Sequence, residues 1–318
     1  MDNLTHSLIG AALGQAGLKR KTGLAMPALI IAANLPDIDA ACFFWLDGTE
    51  HLGFRRGITH GPIAMALLPL LLAGALWGYD RWQTQRGTRP AGRLPVHLGW
   101  LFALSLIGCL SHPLFDWFNN YGVRFLEPFS STWFYGDTLF IIDVWMIVLL
   151  GSGIWISRRQ EKAGWDDSFK PSRLALAATA GYIALNMFFS DWSEGVGEYY
   201  AGHPQLVVAN PVPIAFWERD VLIWGDRVWG PTHYYKMRCH MIFGCEKEEA
   251  NGKWVLRPTN ITDPRIAEWA KGDPQAQAFL FWSRMPVAQV GPKGILLTDQ
   301  RFMDSPARSS FTVELKPR

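Results

Sequence analysis

Two aspartates lie inside an apolar stretch of the chain. Asp37 and Asp39 flank Ile38 within the segment 26–45, which carries no other charged residue. A carboxylate in such surroundings is costly unless it binds a cation or a proton. A second apolar segment carries His112 and Asp116 four positions apart, which places both side chains on one face of a helix. That spacing suits two ligands of one metal ion.

Two further histidines lie at the ends of apolar segments. His6 is near the start of the first, and His60 immediately precedes the segment that begins at Pro62. Imidazole together with carboxylate suits Zn²⁺, Mn²⁺ or Fe, whereas Mg²⁺ and Ca²⁺ sites are more usually all oxygen. Three histidines and three aspartates suffice for two ions that share a bridging carboxylate, which is typical of phosphoester hydrolysis by metal-activated water. The predicted metal ligands are His6, Asp37, Asp39, His60, His112 and Asp116.

Asp143 and Arg56 are the predicted catalytic residues. Asp143 follows Phe140 and two isoleucines, and its role is that of a ligand, a partner that orients a histidine, or a general base. Arg55 and Arg56 either anchor the chain at the membrane interface or bind a substrate phosphate. A lone histidine in an apolar helix is more often a packing residue than a ligand. Four acids on the same predicted face as three histidines favour mutual neutralisation around cations instead.

The composition is that of a membrane protein. Of 318 residues, 49% are hydrophobic and only 18% are charged, with 16 tryptophans. The net charge of +2 is spread over short loops, and nothing indicates nucleic acid as a partner. The N-terminal sequence does not resemble a cleaved signal peptide, because Asp2, Asn3 and His6 interrupt it.

Four segments are predicted to span the membrane, since each provides close to the 20 apolar residues that a hydrocarbon core requires. A helical hairpin over 4–45, with arms 4–18 and 24–45, precedes them and either spans fully or re-enters. A β-rich soluble domain, containing helices near 261–270 and 274–282, is predicted over 201–318. The predicted spans are 62–79, 97–118, 139–156 and 174–190.

The distribution of basic residues predicts the orientation. Lysines and arginines crowd the segments 19–21, 81–93 and 158–173, which the positive-inside rule places in the cytoplasm. The candidate ligands and the β-rich domain then lie on the periplasmic side. There Cys239 and Cys245 either form a hairpin disulfide or stay reduced.

Six motifs, in this order, resemble those of the bacterial membrane-bound metal-dependent hydrolases, a group that includes LexA-regulated inner-membrane hydrolases. The resemblance covers about the first 190 residues. It implies a distant similarity to zinc-dependent phospholipase C, and hence a helical zinc site that cleaves phosphodiesters or phosphomonoesters. By resemblance the same six ligands bind metal, with Asp143 as a further member. The motifs are Thr5–Ser7, Asn34–Asp39, Arg56–Gly61, His112–Trp117, Asn120–Phe129 and Asp137–Asp143.

The chain departs from the family pattern at three places. Arg55 stands where histidine is common, Gly61 stands where serine is usual, and Val144 rather than proline follows Asp143. None of these departures removes a predicted ligand.

The expected fold is therefore a polytopic α-helical membrane domain over 1–190, followed by a β-rich α+β soluble domain. The expected function is a metal-dependent hydrolase of the bacterial inner membrane, with a lipid or lipid-linked substrate and two or more divalent ions, Zn²⁺ before Mn²⁺. One alternative is a transporter or metal-binding membrane protein without turnover. Another makes the membrane part an anchor for a binding module in the β-rich domain.

Overall fold

The computed structural model describes residues 1–225, 232–305 and 307–317. The chain divides into two compact units. The first contains residues 1–39 and 56–185, and the second contains residues 40–55 and 186–318. The second unit therefore begins at residue 186, whereas the predicted soluble domain begins at 201. It also includes the segment 40–55, which the sequence analysis assigned in part to the N-terminal hairpin.

The first unit is helical. Its α2 packs on α1 and α5, α4 packs on α5, and α1 packs on α6. Two glycines permit close approach between these helices: a Cβ on Gly10 would lie 2.6 Å from the carbonyl oxygen of Leu29, and one on Gly108 would lie 2.7 Å from the Cβ of Ala32. Small residues at helix interfaces are typical of membrane bundles. The helices are α1 (Asn3–Gln15), α2 (Ala25–Ala32), α4 (Pro62–Gln85), α5 (Leu98–Trp117), α6 (Val144–Lys162) and the first half of α7 (Lys170–Ala201).

Three of these helices, α4, α5 and α7, are long and apolar enough to cross a membrane. They correspond to the predicted spans 62–79, 97–118 and 174–190, and α7 continues well beyond its predicted end. A fourth candidate is α2 together with the 3₁₀ helix Leu35–Phe44, which meet at a bend of 49°. The second arm of the predicted hairpin is therefore broken, and α1, with 13 residues, is its short first arm.

The predicted span 139–156 is not among the candidate spans of the described residues. The helix α6 begins only at Val144, because the Asp143 carboxylate caps it and accepts a hydrogen bond from the Met146 amide at 2.9 Å. It then continues through Arg158 and Arg159 to Lys162, so its apolar part is too short.

The basic segments of the first unit lie together at one end of its helices. The Lys19 ammonium forms an ion pair with Glu161, and Arg173 Nε donates to the Ala16 carbonyl at 2.9 Å. The Gly23 amide donates to the Pro95 carbonyl at 2.9 Å, close to Arg93. The candidate ligands lie at the opposite ends of the same helices, since α1 and α4 begin there and α2 and α5 end there.

The second unit is built around antiparallel sheets. The largest has the order β1-β2-β3-β4, with β7 also pairing with β3, and a second has the order β10-β9-β8. The helices α8 (Pro264–Ala270) and α9 (Pro274–Trp282) confirm the two that were predicted there. The strands are β1 (Leu206–Pro211), β2 (Glu218–Trp224), β3 (His233–His240), β4 (Gly244–Lys247), β5 (Glu249–Ala250), β6 (Lys253–Trp254), β7 (Arg257–Pro258), β8 (Pro286–Val290), β9 (Ile295–Asp299) and β10 (Thr312–Leu315).

A disulfide and a packing contact stabilise the second unit. Cys239 and Cys245 face each other across β3 and β4 and form a disulfide, which resolves the alternative that the sequence left open. The segment 40–55, which includes the short helix α3 (His51–Phe54), packs on α9. There Thr49 Oγ1 donates to the Gln275 carbonyl at 3.0 Å.

Candidate metal centre

Four of the six predicted ligands converge in the first unit. Asp37, His60, His112 and Asp116 are all buried, and each offers one ligand atom within 4.8 Å of the others. They come from three separate segments: the 3₁₀ helix after α2, the turn before α4, and the last two turns of α5. Imidazole nitrogen and carboxylate oxygen form a donor set that suits Zn²⁺ or Mn²⁺.

The His112 ring is oriented by the backbone of α2. Its Nδ1 lies 2.6 Å from the carbonyl oxygen of Ala33, which is a hydrogen-bond acceptor and therefore holds the ring proton on Nδ1. The lone pair on Nε2 then faces Asp37 Oδ1 at 3.7 Å and Asp116 Oδ2 at 3.5 Å. Metal-binding histidines are commonly held in this way by a carbonyl behind the ring.

Asp116 is the centre of the group. Its Oδ2 lies 3.4 Å from His60 Nε2, and its Oδ1 lies 3.3 Å from His6 Nε2. The His6 ring also stacks on the His112 ring with 3.8 Å between centroids. The Met1 amine forms an ion pair with Asp116 Oδ1, so a cationic group already neutralises this carboxylate. His6 thus lies beside the four converging residues, in contact with two of them.

A metal ion fits this arrangement. His112 Nε2 is fully buried and forms no hydrogen bond, and it faces Asp116 Oδ2, which Arg56 Nε approaches at 3.0 Å, across a distance of 3.5 Å. Buried polar atoms nearly always have a partner, and two acceptors that face each other repel unless a cation lies between them. The types of ligand atom and the unsatisfied Nε2 of His112 therefore both indicate a bound cation.

Asp39 lies beside these four residues. Its Oδ2 accepts hydrogen bonds from the Arg56 backbone amide at 2.7 Å and from Thr59 Oγ1 at 3.1 Å. The Thr59 hydroxyl in turn lies 3.0 Å from His60 Nδ1. Asp39 therefore holds the turn that carries His60, and it lies 3.7 Å from the His60 ring without belonging to the group of four.

Arg56 is directed into the protein. Its Nε lies 3.0 Å from Asp116 Oδ2, its Nη1 donates to Asn119 Oδ1 at 3.0 Å, and its guanidinium lies 4.4 Å from the ring centroid of Tyr121. Arg56 thus contacts the central carboxylate, and its predicted role in phosphate binding stays a prediction. The backbone of Arg56 has a positive φ of 57°, a conformation that turns the chain sharply before His60.

Asp143 is used structurally. One oxygen caps α6, and the other accepts a hydrogen bond from the Tyr182 hydroxyl at 2.9 Å. It is not one of the four converging residues among those the structure describes. Its predicted catalytic role stays a prediction.

Sequence reasoning missed the parts of the site that carry no titratable side chain. The Ala33 carbonyl orients His112, and Asn119 receives Arg56. Asn119 lies two residues after the end of α5, and it could have been predicted as a partner because buried arginines require acceptors. A backbone carbonyl has no signature in the sequence.

Apolar helices of spanning length around a buried histidine and aspartate group define a helical membrane protein with a candidate metal centre. A family model described as YdjM inner membrane protein matches residues 1–193, and the chain belongs to this family. No curated protein and no solved structure matches the chain. Membership confirms the coarser part of the prediction, a family of inner-membrane proteins, while the likeness to hydrolases and zinc enzymes stays a prediction.

Proposed function

We propose that the protein is a metal-dependent hydrolase of the inner membrane that cleaves a phosphoester or related bond in a lipid or lipid-linked substrate. One observation carries the metal part of this proposal. The His112 ring keeps its proton on Nδ1, which donates to the Ala33 carbonyl, and it directs the Nε2 lone pair toward Asp37 and Asp116, an arrangement that a cation stabilises.

Asp37, His60, His112 and Asp116 are the residues that would hold the ion. A divalent ion there, Zn²⁺ before Mn²⁺, supplies a Lewis acid that polarises a phosphoryl oxygen and acidifies water. His6 and Asp39 lie next to this group and are the candidates for holding a second ion.

The protein prepares this chemistry with its own contacts. Arg56 places a guanidinium on Asp116 and thereby fixes the orientation of that carboxylate. Asp39 and Thr59 hold the ring of His60. Burial of the three histidine side chains excludes bulk water, which strengthens every electrostatic interaction within the site.

The surface beside the ligands supports a lipid substrate. Within two positions of a predicted ligand lie four aliphatic side chains that are largely exposed: Leu4 at 54%, Ile38 at 57%, Ile58 at 61% and Leu114 at 47%. Each follows or precedes a ligand that is at most 7% exposed. A polar, water-borne substrate would favour polar residues at these positions, whereas acyl chains pack well against this rim.

The topology in the proposal is multi-pass, with the site on the periplasmic side. The basic segments lie at the other end of the helices, which the positive-inside rule assigns to the cytoplasm. The Cys239–Cys245 disulfide supports a periplasmic location for the second unit, because disulfides persist in oxidising compartments. Maleimide labelling of engineered cysteines in intact cells, at Thr88 for the basic end and at Gln289 for the second unit, tests both assignments.

The decisive experiment joins metal analysis with turnover. Protein purified without chelators is analysed for bound Zn²⁺ and Mn²⁺ and is then incubated with phosphoester lipids. Wild type is expected to retain metal and release phosphate or a headgroup, and His112→Ala is expected to lose both. His97→Ala is the matched control, since His97 is exposed and lies at the opposite end of α5.

Other outcomes decide between the alternatives. Metal retention without hydrolysis of any phosphoester would favour a transporter or a binding protein. Absence of metal from wild type after supplementation would contradict the proposed centre.

A further inference from the structure

A polar cleft of about 530 Å³ lies in the second unit, within the structure that is described. Its volume falls in the range of roughly 300 to 1,000 Å³ that is typical of small-molecule sites. The cleft lies over β3 and β4 and is closed by the turn after β9. It is lined, among others, by Tyr234, Lys236, Glu248, Arg257, Gln300 and Asp304.

Most charged groups of the cleft are paired with a neighbouring group of opposite sign. Lys236 Nζ lies 2.7 Å from Asp304 Oδ2 and 3.3 Å from Asp220 Oδ2. Arg257 forms a two-pronged ion pair with Glu248. A ligand with a strong net charge would have to break these pairs, so the cleft favours a neutral ligand. The paired groups still present fixed donors and acceptors to hydroxyl groups.

Gln300 is the unsatisfied group. Its side chain is 5% exposed, and neither its amide oxygen nor its amide nitrogen has a hydrogen-bond partner. A buried amide without partners is destabilising. Because nothing holds this amide, it can turn toward the cleft without breaking a hydrogen bond, and it then offers one acceptor and one donor group.

The floor of the cleft is less polar. Leu222 and Met303 contribute apolar surface, and the Tyr234 hydroxyl lies 4.0 Å from the sulfur of Met303, which is a weak contact. Apolar surface next to paired donors and acceptors matches a sugar ring, whose faces are C–H groups and whose hydroxyls both donate and accept.

We infer that this cleft binds a neutral saccharide, with the Gln300 amide and the Tyr234 hydroxyl bonding to its hydroxyl groups. This site lies outside the metal centre and is independent of the proposed hydrolysis.

The test uses the full chain in detergent and measures ligand-observed NMR and thermal stability. The probes are N-acetylglucosamine and maltose, with glycylglycine and glycerophosphoethanolamine as peptide-like and zwitterionic competitors. A saccharide is expected to bind saturably and raise the melting temperature. Gln300→Leu and Tyr234→Phe are each expected to weaken that binding at least tenfold. Gln289→Leu, at an exposed position on β8, is expected to leave it unchanged.

Three results would overturn the inference. The first is that neither saccharide binds wild type. The second is that a competitor binds in place of the saccharides. The third is that a saccharide binds Gln300→Leu and Tyr234→Phe as tightly as it binds wild type. If Gln300→Leu merely raises the melting temperature and wild type binds no saccharide, the amide is an uncompensated core residue and the cleft is not a saccharide site.

Discussion

His112 on α5 and Ala33 at the end of α2 are joined by a contact of 2.6 Å between imidazole Nδ1 and the carbonyl oxygen. This contact sets which ring nitrogen is free, and so determines that α5 presents a ligand atom to Asp37 and Asp116. It depends on the close packing of α2 and α5, where Gly108 leaves room for Ala32. The metal centre is therefore a consequence of helix packing as much as of its ligands.

Removal of metal is expected to destabilise wild type. A ligand that binds only the folded state stabilises it by about 2.7 kcal/mol when its free concentration is 100 times its Kd. Dialysis against a chelator should lower the melting temperature of wild type and of His97→Ala, and readdition of Zn²⁺ or Mn²⁺ should restore it. His112→Ala should not respond to either treatment, and an equal response in this variant would contradict the assigned site.

Replacement of Arg56 is expected to act through Asp116. Loss of a group that orients a metal ligand commonly lowers metal affinity by about 10- to 100-fold. Arg56→Met should therefore bind Zn²⁺ more weakly in a competition titration, and Arg55→Met, whose guanidinium lies over Phe43, should not. Unchanged metal affinity of Arg56→Met together with a raised KM would instead support the role in binding a substrate phosphate that the sequence predicted.

Replacement of Asp143 separates capping from catalysis. Asp143→Ala should cost about 1 kcal/mol of stability, as is usual for loss of an N-cap, and should retain its metal. Asp143→Asn preserves the cap and should be close to wild type in melting temperature and turnover. Loss of turnover in Asp143→Asn at unchanged melting temperature would show that Asp143 is catalytic after all.

Gly61 is expected to be required for stability, because its surroundings leave no room for a side chain. A Cβ at this position would overlap the backbone carbonyl of Glu127, so a serine does not fit here. Gly61→Ser should displace the turn that carries His60, with a stability loss of about 1–3 kcal/mol and weaker metal binding. Gly74→Ser is the control, since a Cβ on Gly74 meets open space in the same helix. Equal melting temperatures for the two variants would contradict this explanation.

The second unit is expected to lose stability in acid through Asp299. Burial by itself raises the pKa of this carboxyl, but the Arg301 guanidinium and the Ser283 hydroxyl outweigh burial and hold the pKa below its ordinary value of 3.8. The stabilisation from Asp299 is therefore fully present above that ordinary value and is lost as the pH falls through the lower, folded-state pKa.

The measurement is the melting temperature of the full chain between pH 7 and pH 3. Asp299→Asn leaves Arg301 buried without its partner and should cost about 3–5 kcal/mol at pH 7. The melting temperature of Asp299→Asn should also fall less than that of wild type as the pH is lowered to 3. The exposed control Asp47→Asn should follow wild type. An identical acid decline in Asp299→Asn would show that other carboxyl groups are responsible.

The sequence by itself determined which residue types meet at the site. The spacing of His112 and Asp116 on one helical face, and the positions of Asp37 and His60 in or next to apolar segments, predicted four side chains that the fold does bring together. Apolar length likewise predicted α4, α5 and α7, because a helix of spanning length needs a long run without charges. Helix length and the face on which a side chain lies depend on residues that are close together in the chain, so the local sequence pattern is sufficient to predict them.

Only the tertiary structure decided the roles within the site. Asp39 and Arg56 have the same residue types as ligands and phosphate-binding groups, but their contacts direct them to the turn before His60 and to Asp116. Asp143 begins a helix instead of lying within one, since its carboxylate satisfies the first amides of α6. Such assignments depend on distances between segments far apart in the chain. Helix periodicity fixes the face on which a side chain lies, whereas packing between helices fixes what that side chain touches.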